Sequence, residues 1–327
     1  MLKLDVKDKK ILSILDMDAR MPLSKIAKKV GLSREVVTYR IKQLEKKGII
    51  EGYFAVIDLP KLNLLYGRLQ FSYNNMNKKK KKELTEYCDK HSKIPWLLFS
   101  DGKFDVSMVI VVKNLQEIHE VHDDIREHFG NYLQNPSISF GYKIYHYKHN
   151  FLYETHDLKE FLFGENYDNT QKLNKFDYQL IDILSKDANQ PIVTIAAKLN
   201  SNAKRVSYRI KKLINDKIIL GFRAQINTRI LGYDRYHMDL RIKKCDKEKQ
   251  AKLLKFLKQH QKVIYITIPL GINDMEFEIN VKNATELAEI MENFKELFST
   301  MEINYSKYLM LEEPILSYFP MFETLVS

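Results

Sequence analysis

Cysteine is almost missing from these 327 residues: Cys88 and Cys245 stand alone. Two cysteines exclude a disulfide framework and a multi-cysteine zinc site, and they suit a reducing, cytoplasmic setting. Long apolar runs are missing too, so no segment is suited to span a bilayer and no membrane partner is expected. The opening MLKLDVKDKK is charged and leads into an amphipathic helix, which is not the pattern of a signal peptide. P-loop, dinucleotide-binding and nucleophile motifs are also lacking. The sequence therefore points away from an enzyme, and no catalytic residue, cofactor or metal is expected.

What is present is core-forming and basic. Hydrophobic residues make up 45%, enough for two to four small domains, each with a core. The formal charge is +11, and its location matters more than its size. Residues 1–57 hold 13 Lys+Arg against 7 Asp+Glu, and residues 172–229 hold 12 against 4, leaving the remainder at −3. Two basic segments suit a polyanion partner, since phosphate neutralisation dominates nonspecific nucleic-acid affinity; a soluble protein of a basic proteome would show the same totals.

Those two segments are copies of one another. Adding 169 maps Leu4–Asn114 onto the second half without a gap. Tyr39-Arg40-Ile41-Lys42 becomes Tyr208-Arg209-Ile210-Lys211, and Ile49-Ile50-x-Gly52 becomes Ile218-Ile219-x-Gly221. This is a tandem duplication. Each copy opens with three short helices. In the first, Asp5 is the N-cap, Pro22 separates helices one and two, Gly31 (Asn200 in the second copy) is the αL stop, and Ser33 caps helix three. Ile49–Ile57 reads as a two-stranded wing. The following segments alternate as β-α-β-β-α-β, a ferredoxin-like unit. The pattern predicts an α+β chain of two tandem copies, each a winged helix-turn-helix followed by a ferredoxin-like domain. Their expected bounds are 1–60 and 64–150, then 173–229 and 232–320. Residues 151–172 read as a linker, with a short helix over Asp157–Phe163.

The pattern Leu4-x3-Asp8-x2-Ile11-Leu12-x2-Leu15-x2-Asp18-Ala19-Arg20, with Ile26-Ala27-x2-Val30-Gly31-Leu32-Ser33-x3-Val37-x2-Arg40-Ile41-x2-Leu44-x3-Gly48-Ile49-Ile50, resembles the opening of Lrp/AsnC (feast/famine) transcription regulators. The Gly102-x2-Asp105 hairpin resembles the turn of that family's sensing domain. Each half covers one family-type chain. The second departs from the pattern, with Asn189, Asn200 and Lys217 where Arg20, Gly31 and Gly48 stand. The resemblance implies winged-helix binding to double-stranded DNA, a sensing domain that also oligomerises, and often an amino acid as effector.

A recognition helix needs an apolar back and a front of donors at helical spacing. In copy one the front is Ser33, Arg34, Thr38, Tyr39 and Lys42. In copy two it is Asn202, Lys204, Arg205, Ser207, Tyr208 and Lys211. Arg40 and Arg209 touch either phosphate or an internal carboxylate. The bland alternative is a helix-turn-helix used only for protein contacts. For an amino-acid effector the candidates are Gly102, Asp105, Gly271 and Asp274: glycine lets backbone amides approach a carboxylate, and aspartate can hold an ammonium. An ordinary turn with a capping aspartate would have the same sequence. Lys78–Lys82 reads as a solvated helix start, and His119, His122, His146 and His149 as surface histidines.

Three functions follow. The first is a transcription regulator acting as an intrachain pseudo-dimer, itself a homo-oligomer in solution. The second is an enzyme resembling the sirohaem decarboxylases, which would need a pocket for a large anionic tetrapyrrole. The third is a nucleoid-architectural DNA-binding protein.

Overall fold

The computed structural model describes residues 2–165, 173–317 and 319–320. The expected linker falls partly outside them, at 166–172. In copy one, the Asp5 carboxylate accepts the Asp8 N–H and starts helix α1 (Val6–Leu15), which buries Ile11, Leu12 and Leu15. Helix α2 (Leu23–Val30) begins after Pro22 and stops at Gly31 in the left-handed region. Helix α3 (Arg34–Lys46) is capped by Ser33 and buries Val37, Ile41 and Leu44. Strand β1 (Ile50–Ile57) follows. Then come β2 (Leu65–Tyr73), α4 (Lys78–Lys90), β3 (Trp96–Gly102), β4 (Val106–Val112), α5 (Leu115–Phe129) and β5 (Leu133–Tyr147). A short helix α6 (Asn150–Tyr153) and strand β6 (Glu160–Phe163) lead to the second copy.

Copy two repeats the series: α7 (Lys175–Lys186), α8 (Ile192–Lys198), α9 (Ala203–Asn215), β7 (Ile219–Ile226), β8 (Asp234–Ile242), α10 (Lys247–Gln259), β9 (Val263–Leu270), β10 (Met275–Val281), α11 (Ala284–Leu297) and β11 (Ile303–Leu316). The helix caps recur at the same offset with varied chemistry. Asp5 becomes Asn174, Ser33 becomes Asn202, and Asn77 becomes Asp246. Any short side chain with an acceptor meets the need of an N-cap. Asn200 and Lys217 hold positive φ where Gly31 and Gly48 do in copy one. For the lysine that conformation costs about 1–2 kcal/mol.

The structure corrects two expectations. A two-stranded wing does not form within each copy. Instead β1 pairs antiparallel with β7 of the other copy, setting Tyr53 opposite Ala224, Phe54 opposite Arg223, and Ala55 opposite Phe222. The local reason is that β1 runs into a 3-10 turn at Leu59–Leu62, which leaves no return strand beside it. The expected helix over Asp157–Phe163 is also absent. Residues Glu160–Phe163 form a strand that pairs with the end of β5.

The wing contacts are reciprocal. Ala19 N–H donates to Phe222 O (2.9 Å) while Ala188 N–H donates to Tyr53 O (2.8 Å). Asp58 N–H donates to Ile218 O (2.9 Å) while Asn227 N–H donates to Ile49 O (3.0 Å). Every member of these pairs is displaced by 169, so a two-fold relation exists within one chain.

The ferredoxin-like sheets obey the same relation. The last strands β5 and β11 are longer than the alternation suggests because each serves two sheets. β5 pairs with β2 over Leu133–Phe140 and with β9 of the other copy over Phe140–His146. β11 pairs with β8 and then with β3. The ring β2-β4-β3-β11-β8-β10-β9-β5 therefore closes back on β2. Helices α4 and α5 cover the outer face of one half over Leu69, Leu97, Met108 and Ile110. Helices α10 and α11 cover the other over Met238, Leu240, Phe277 and Ile279. The alternate residues of the same strands face the interior of the ring.

Candidate nucleic-acid interface

Helices α3 and α9 each bury one apolar stripe: Val37, Ile41 and Leu44 in α3, Val206, Ile210 and Leu213 in α9. That fixes the opposite face outward. Arg34, Tyr39 and Lys42 are exposed on α3, and Lys204, Arg205, Tyr208 and Lys211 on α9. Tyr39 and Tyr208 occupy equivalent places and are both 63% exposed. A large aromatic in that position contributes little to folding and is free to meet a partner. Thr38 and Ser207 are half-buried, and Thr38 Oγ1 donates to Arg34 O (2.8 Å). Ser33 and Asn202 stand at the helix starts, where their side-chain oxygens accept the N–H of Val36 and Arg205. The Arg205 guanidinium lies 4.3 Å from the Phe176 ring centroid.

Arg40 and Arg209 have internal carboxylates as partners. Arg40 donates to Asp5 and Asp8, both at 2.7 Å. Its hydrogen bonds to Asp5 and Asp8 raise its pKa further and hold it charged. Arg209 Nε donates to Asp177 Oδ1 (2.6 Å), and its Nη2 donates to the other oxygen. Since Asp8 and Asp177 are also 169 apart, the pair recurs. It braces each recognition helix against the first helix of its own module. The joint recurrence of Arg40 and Asp8 was the sequence signal for that role.

The hairpin residues are placed by sheet geometry. Asp105 Oδ2 accepts the Tyr73 N–H (2.7 Å), and Asp274 Oδ2 accepts the Ile242 N–H (2.7 Å). Gly102 and Gly271 have φ of +141° and +156°. Each lies against the last strand of the other copy. A Cβ on Gly102 would come within 2.7 Å of Lys307 O, and one on Gly271 within 3.1 Å of Ser139 Cβ. The capping and closing roles written into the turn are thus the ones these contacts serve.

Among the histidines, His119 is exposed, but His146 and His149 are buried, which corrects their reading as surface groups. β5 carries His146 inward where it reaches the second sheet. His149 donates its backbone N–H to Asp16 Oδ2 (2.7 Å), with its Nδ1 2.9 Å from the same oxygen. In the lysine run, Lys80, Lys81 and Lys82 pair with Glu83, Glu312 and Glu86.

Two polar networks were not read from the sequence. At the wing, Arg223 is buried and donates to Asp16 Oδ1 (2.5 Å), Asp16 O (2.8 Å) and Tyr147 O (2.8 Å). Inside the barrel, Arg68 donates to Glu276 and lies 3.3 Å from His237 Nε2. Arg68 and His237 are themselves 169 apart, so they meet at the pseudo-axis. Burial and Arg68 pull the His237 pKa down, but the carboxylates of Asp239, Glu276 and Glu278, which accept from the ring, outweigh them and lift it to about 10. His237, Asp239 and Glu276 have ligand atoms close enough for a metal ion. Their carboxylates already face a guanidinium and an imidazolium, so the place of a cation is taken by protein charges.

The comparisons agree with this geometry. The winged helix-turn-helix DNA-binding family matches residues 4–51 and 173–219. The chain is 35% identical over 118 residues to the HTH-type transcriptional regulator LrpA of Pyrococcus horikoshii, which spans 36% of this chain and 82% of that protein. It is 28% identical over 142 residues to the HTH-type transcriptional regulator Zrp of Zymomonas mobilis, spanning 42% and 90%. The crystal structure of the siroheme decarboxylase NirDL with an iron-uroporphyrin III analogue covers 98% of this chain and 95% of its own, with TM-score 0.63 and 11% identity. That likeness is one of fold. Among the described residues no helix is long and apolar enough to cross a membrane.

Proposed function

We propose, because the chain belongs to the Lrp/AsnC family of transcription regulators, that one chain acts as a complete two-module DNA reader. The observation that carries this is the reciprocal pairing of β1 with β7. It ties two recognition helices into one two-fold unit without a second chain. Arg34, Thr38, Tyr39 and Lys42 form one reading face, with Ser33 at its start. Lys204, Arg205, Ser207, Tyr208 and Lys211 form the other, with Asn202 at its start. Paired recognition helices of this type meet half-sites about 34–36 Å apart or a multiple of that. The two faces differ in sequence, so the site is an imperfect palindrome. Titration of the chain with excess two-half-site duplex tests this: one duplex bound per chain supports it, and one duplex bound per two chains overturns it.

Modulation by an amino acid belongs to the same reading, as does a cytoplasmic location. Association of chains is supported by the hairpin of copy two. Leu270 and Ile272 are exposed there beside Ile138 and Tyr142, whereas copy one carries Asp101 and Lys103 at the equivalent tip. A Leu270→Asp, Ile272→Lys variant should shift the sedimentation of the free protein toward the single chain.

The tetrapyrrole reading fits less well. A polycarboxylate ligand needs surplus positive charge. In the cleft between wing and barrel, Arg235 is matched by Glu278 and Glu313, Arg68 by Glu276, and Arg223 by Asp16. Absence of any spectral change on mixing with sirohaem is the expected result.

A further inference from the structure

We propose that the cleft between the paired wings and the end of β11 receives an extended, basic peptide segment of a partner protein as an added strand. This site is independent of DNA reading.

The chain itself supplies the precedent. After β5 it folds back, and β6 adds to the edge of Ile144–Tyr147, on the side opposite β9. Phe161 of β6 sits on the wings beside Met17, Phe54 and Val56. It fills the space over Gly221, where an added Cβ would collide with its ring. Glu160 meets Lys258 of α10 at 3.0 Å.

The two-fold relation gives β11 an equivalent edge. Pairing with β8 ends at Met310, and β3 alone pairs with β11 from Glu312 to Leu316 among the described residues. On the bare side, Leu311 O accepts from the Arg229 guanidinium. The chain after β11 turns to the β3 side, since Ser317 N–H donates to Pro95 O (2.8 Å). A cleft of about 410 Å³ lies between the bare edge and the wings, where Glu51, Arg223 and Gln225 line it. Over Gly52, the counterpart of Gly221, the nearest atom is Gln225 Oε1 at 3.6 Å. A strand edge left open in this way is a template for another strand.

The guest must differ from β6 in charge. At the place of Lys258 the first copy has Asp89, and at the place of Leu220 it has Glu51. Asp89 is exposed and makes no ion pair among the described residues. Glu51 accepts only from the side-chain amides of Gln225 and Asn227. Asp234, on the cleft wall, has no side-chain partner among the described residues. The other charges there are matched: Arg223 by Asp16, Arg235 by Glu278 and Glu313, and Glu312 by Lys81. Three uncommitted carboxylates thus stand against Arg229. A segment with Lys where β6 has Glu160, and Arg where it has Phe161, meets them. Pro314 withholds one ladder donor, so charge rather than backbone selects the guest. The chain as a whole carries +11, so a basic peptide is held locally and not by general attraction.

The probe is an acetylated, amidated peptide of the 158–164 sequence carrying Glu160→Lys and Phe161→Arg. It is titrated calorimetrically into the full chain beside a peptide carrying Phe161→Arg alone. The expected result is one doubly substituted peptide per chain, at least roughly tenfold tighter than the peptide that keeps the glutamate. Asp89→Lys, which installs the residue of copy two, should reverse that preference. Gly52→Val, which fills the seat on the wing, should abolish binding while the circular dichroism spectrum stays native. Asp89→Lys, a surface change, keeps the test decisive should Gly52→Val not fold. Binding should slow amide exchange across Leu311–Leu316. No heat at millimolar peptide, equal affinities of the two peptides, an unchanged preference in Asp89→Lys, undiminished binding to folded Gly52→Val, or no protection at Leu311–Leu316 would each overturn the proposal.

Discussion

Phe54 faces Arg223 across the paired wings, and the two residues occupy the same place in their own copies. The pseudo-axis therefore passes between a phenylalanine and an arginine. Arg223 is buried against Asp16 and Tyr147 O. The counterparts, Phe54 and Ser185, carry no charge. One side of a two-fold unit is thus locked by an ion pair and the other by apolar packing. The lock joins α1 of the first module, the wing of the second and the end of β5.

Removing one member of that pair leaves the other charged and buried. Arg223→Ala should lower stability by about 3–5 kcal/mol. Asp16→Ser combined with Arg223→Phe, the residues found across the axis, should recover more than half of the loss. Urea unfolding measures both, and a loss under 1 kcal/mol for the single variant would argue against the lock.

Asp58 gives a pH signature. Burial pushes its carboxyl up from 3.8 to about 6, and the hydrogen bond from Gly164 N–H only partly opposes this. An acid with a raised folded pKa costs nothing below its unfolded value. The cost grows as pH rises from about 4, and above 6 it is complete, about 2–3 kcal/mol. Copy two has Asn227 at this place. Asp58→Asn should therefore stabilise at pH 7.5 and be neutral at pH 3.5. Equal effects at the two pH values would contradict the assignment.

The two barrel glycines should not tolerate alanine equally. At Gly102 the added Cβ meets backbone at 2.7 Å, whereas at Gly271 the nearest contact is a serine Cβ at 3.1 Å. Gly102→Ala should lower the melting temperature more than Gly271→Ala. The reverse order would mean that the β3–β11 seam is looser than described.

On the recognition helices, Lys42→Ala and Arg40→Ala should separate two roles. Lys42 is exposed and without an internal partner among the hydrogen bonds and ion pairs of the described residues. Its loss should weaken binding to all sequences alike and reduce the salt slope by about 1. Arg40 braces α3 through Asp5 and Asp8, so its loss should lower stability before it alters the salt slope. Fluorescence anisotropy across salt, with melting curves, distinguishes them.

Much of the fold was legible because local signals agreed. Caps, Pro22, Gly31 and the 169-residue repeat placed every helix of both modules. The partner of β1 was not legible, since period-two alternation says which residues share a face but not which strand lies alongside. The barrel interior was hidden for a related reason. In Met275–Val281 the alternation of Glu276, Glu278 and Asn280 with Phe277 and Ile279 is what a solvent-facing strand would show. Here the polar face looks into a closed ring and is matched by Arg68, His237 and Arg235. The exposed fronts of α3 and α9 could be read directly, because an apolar stripe at helical spacing fixes what lies opposite. Arg40 and Arg209 needed the structure to choose between phosphate and carboxylate.

The most direct measurement is selection of the purified full chain against a randomised duplex library, with sequencing of the bound pool. The expected pool carries two unlike half-sites at a fixed spacing, and Tyr39→Ala and Tyr208→Ala each blur a different one. Unselected sequence with a steep salt slope would instead mark an architectural protein. No recovery at low salt would contradict DNA reading altogether.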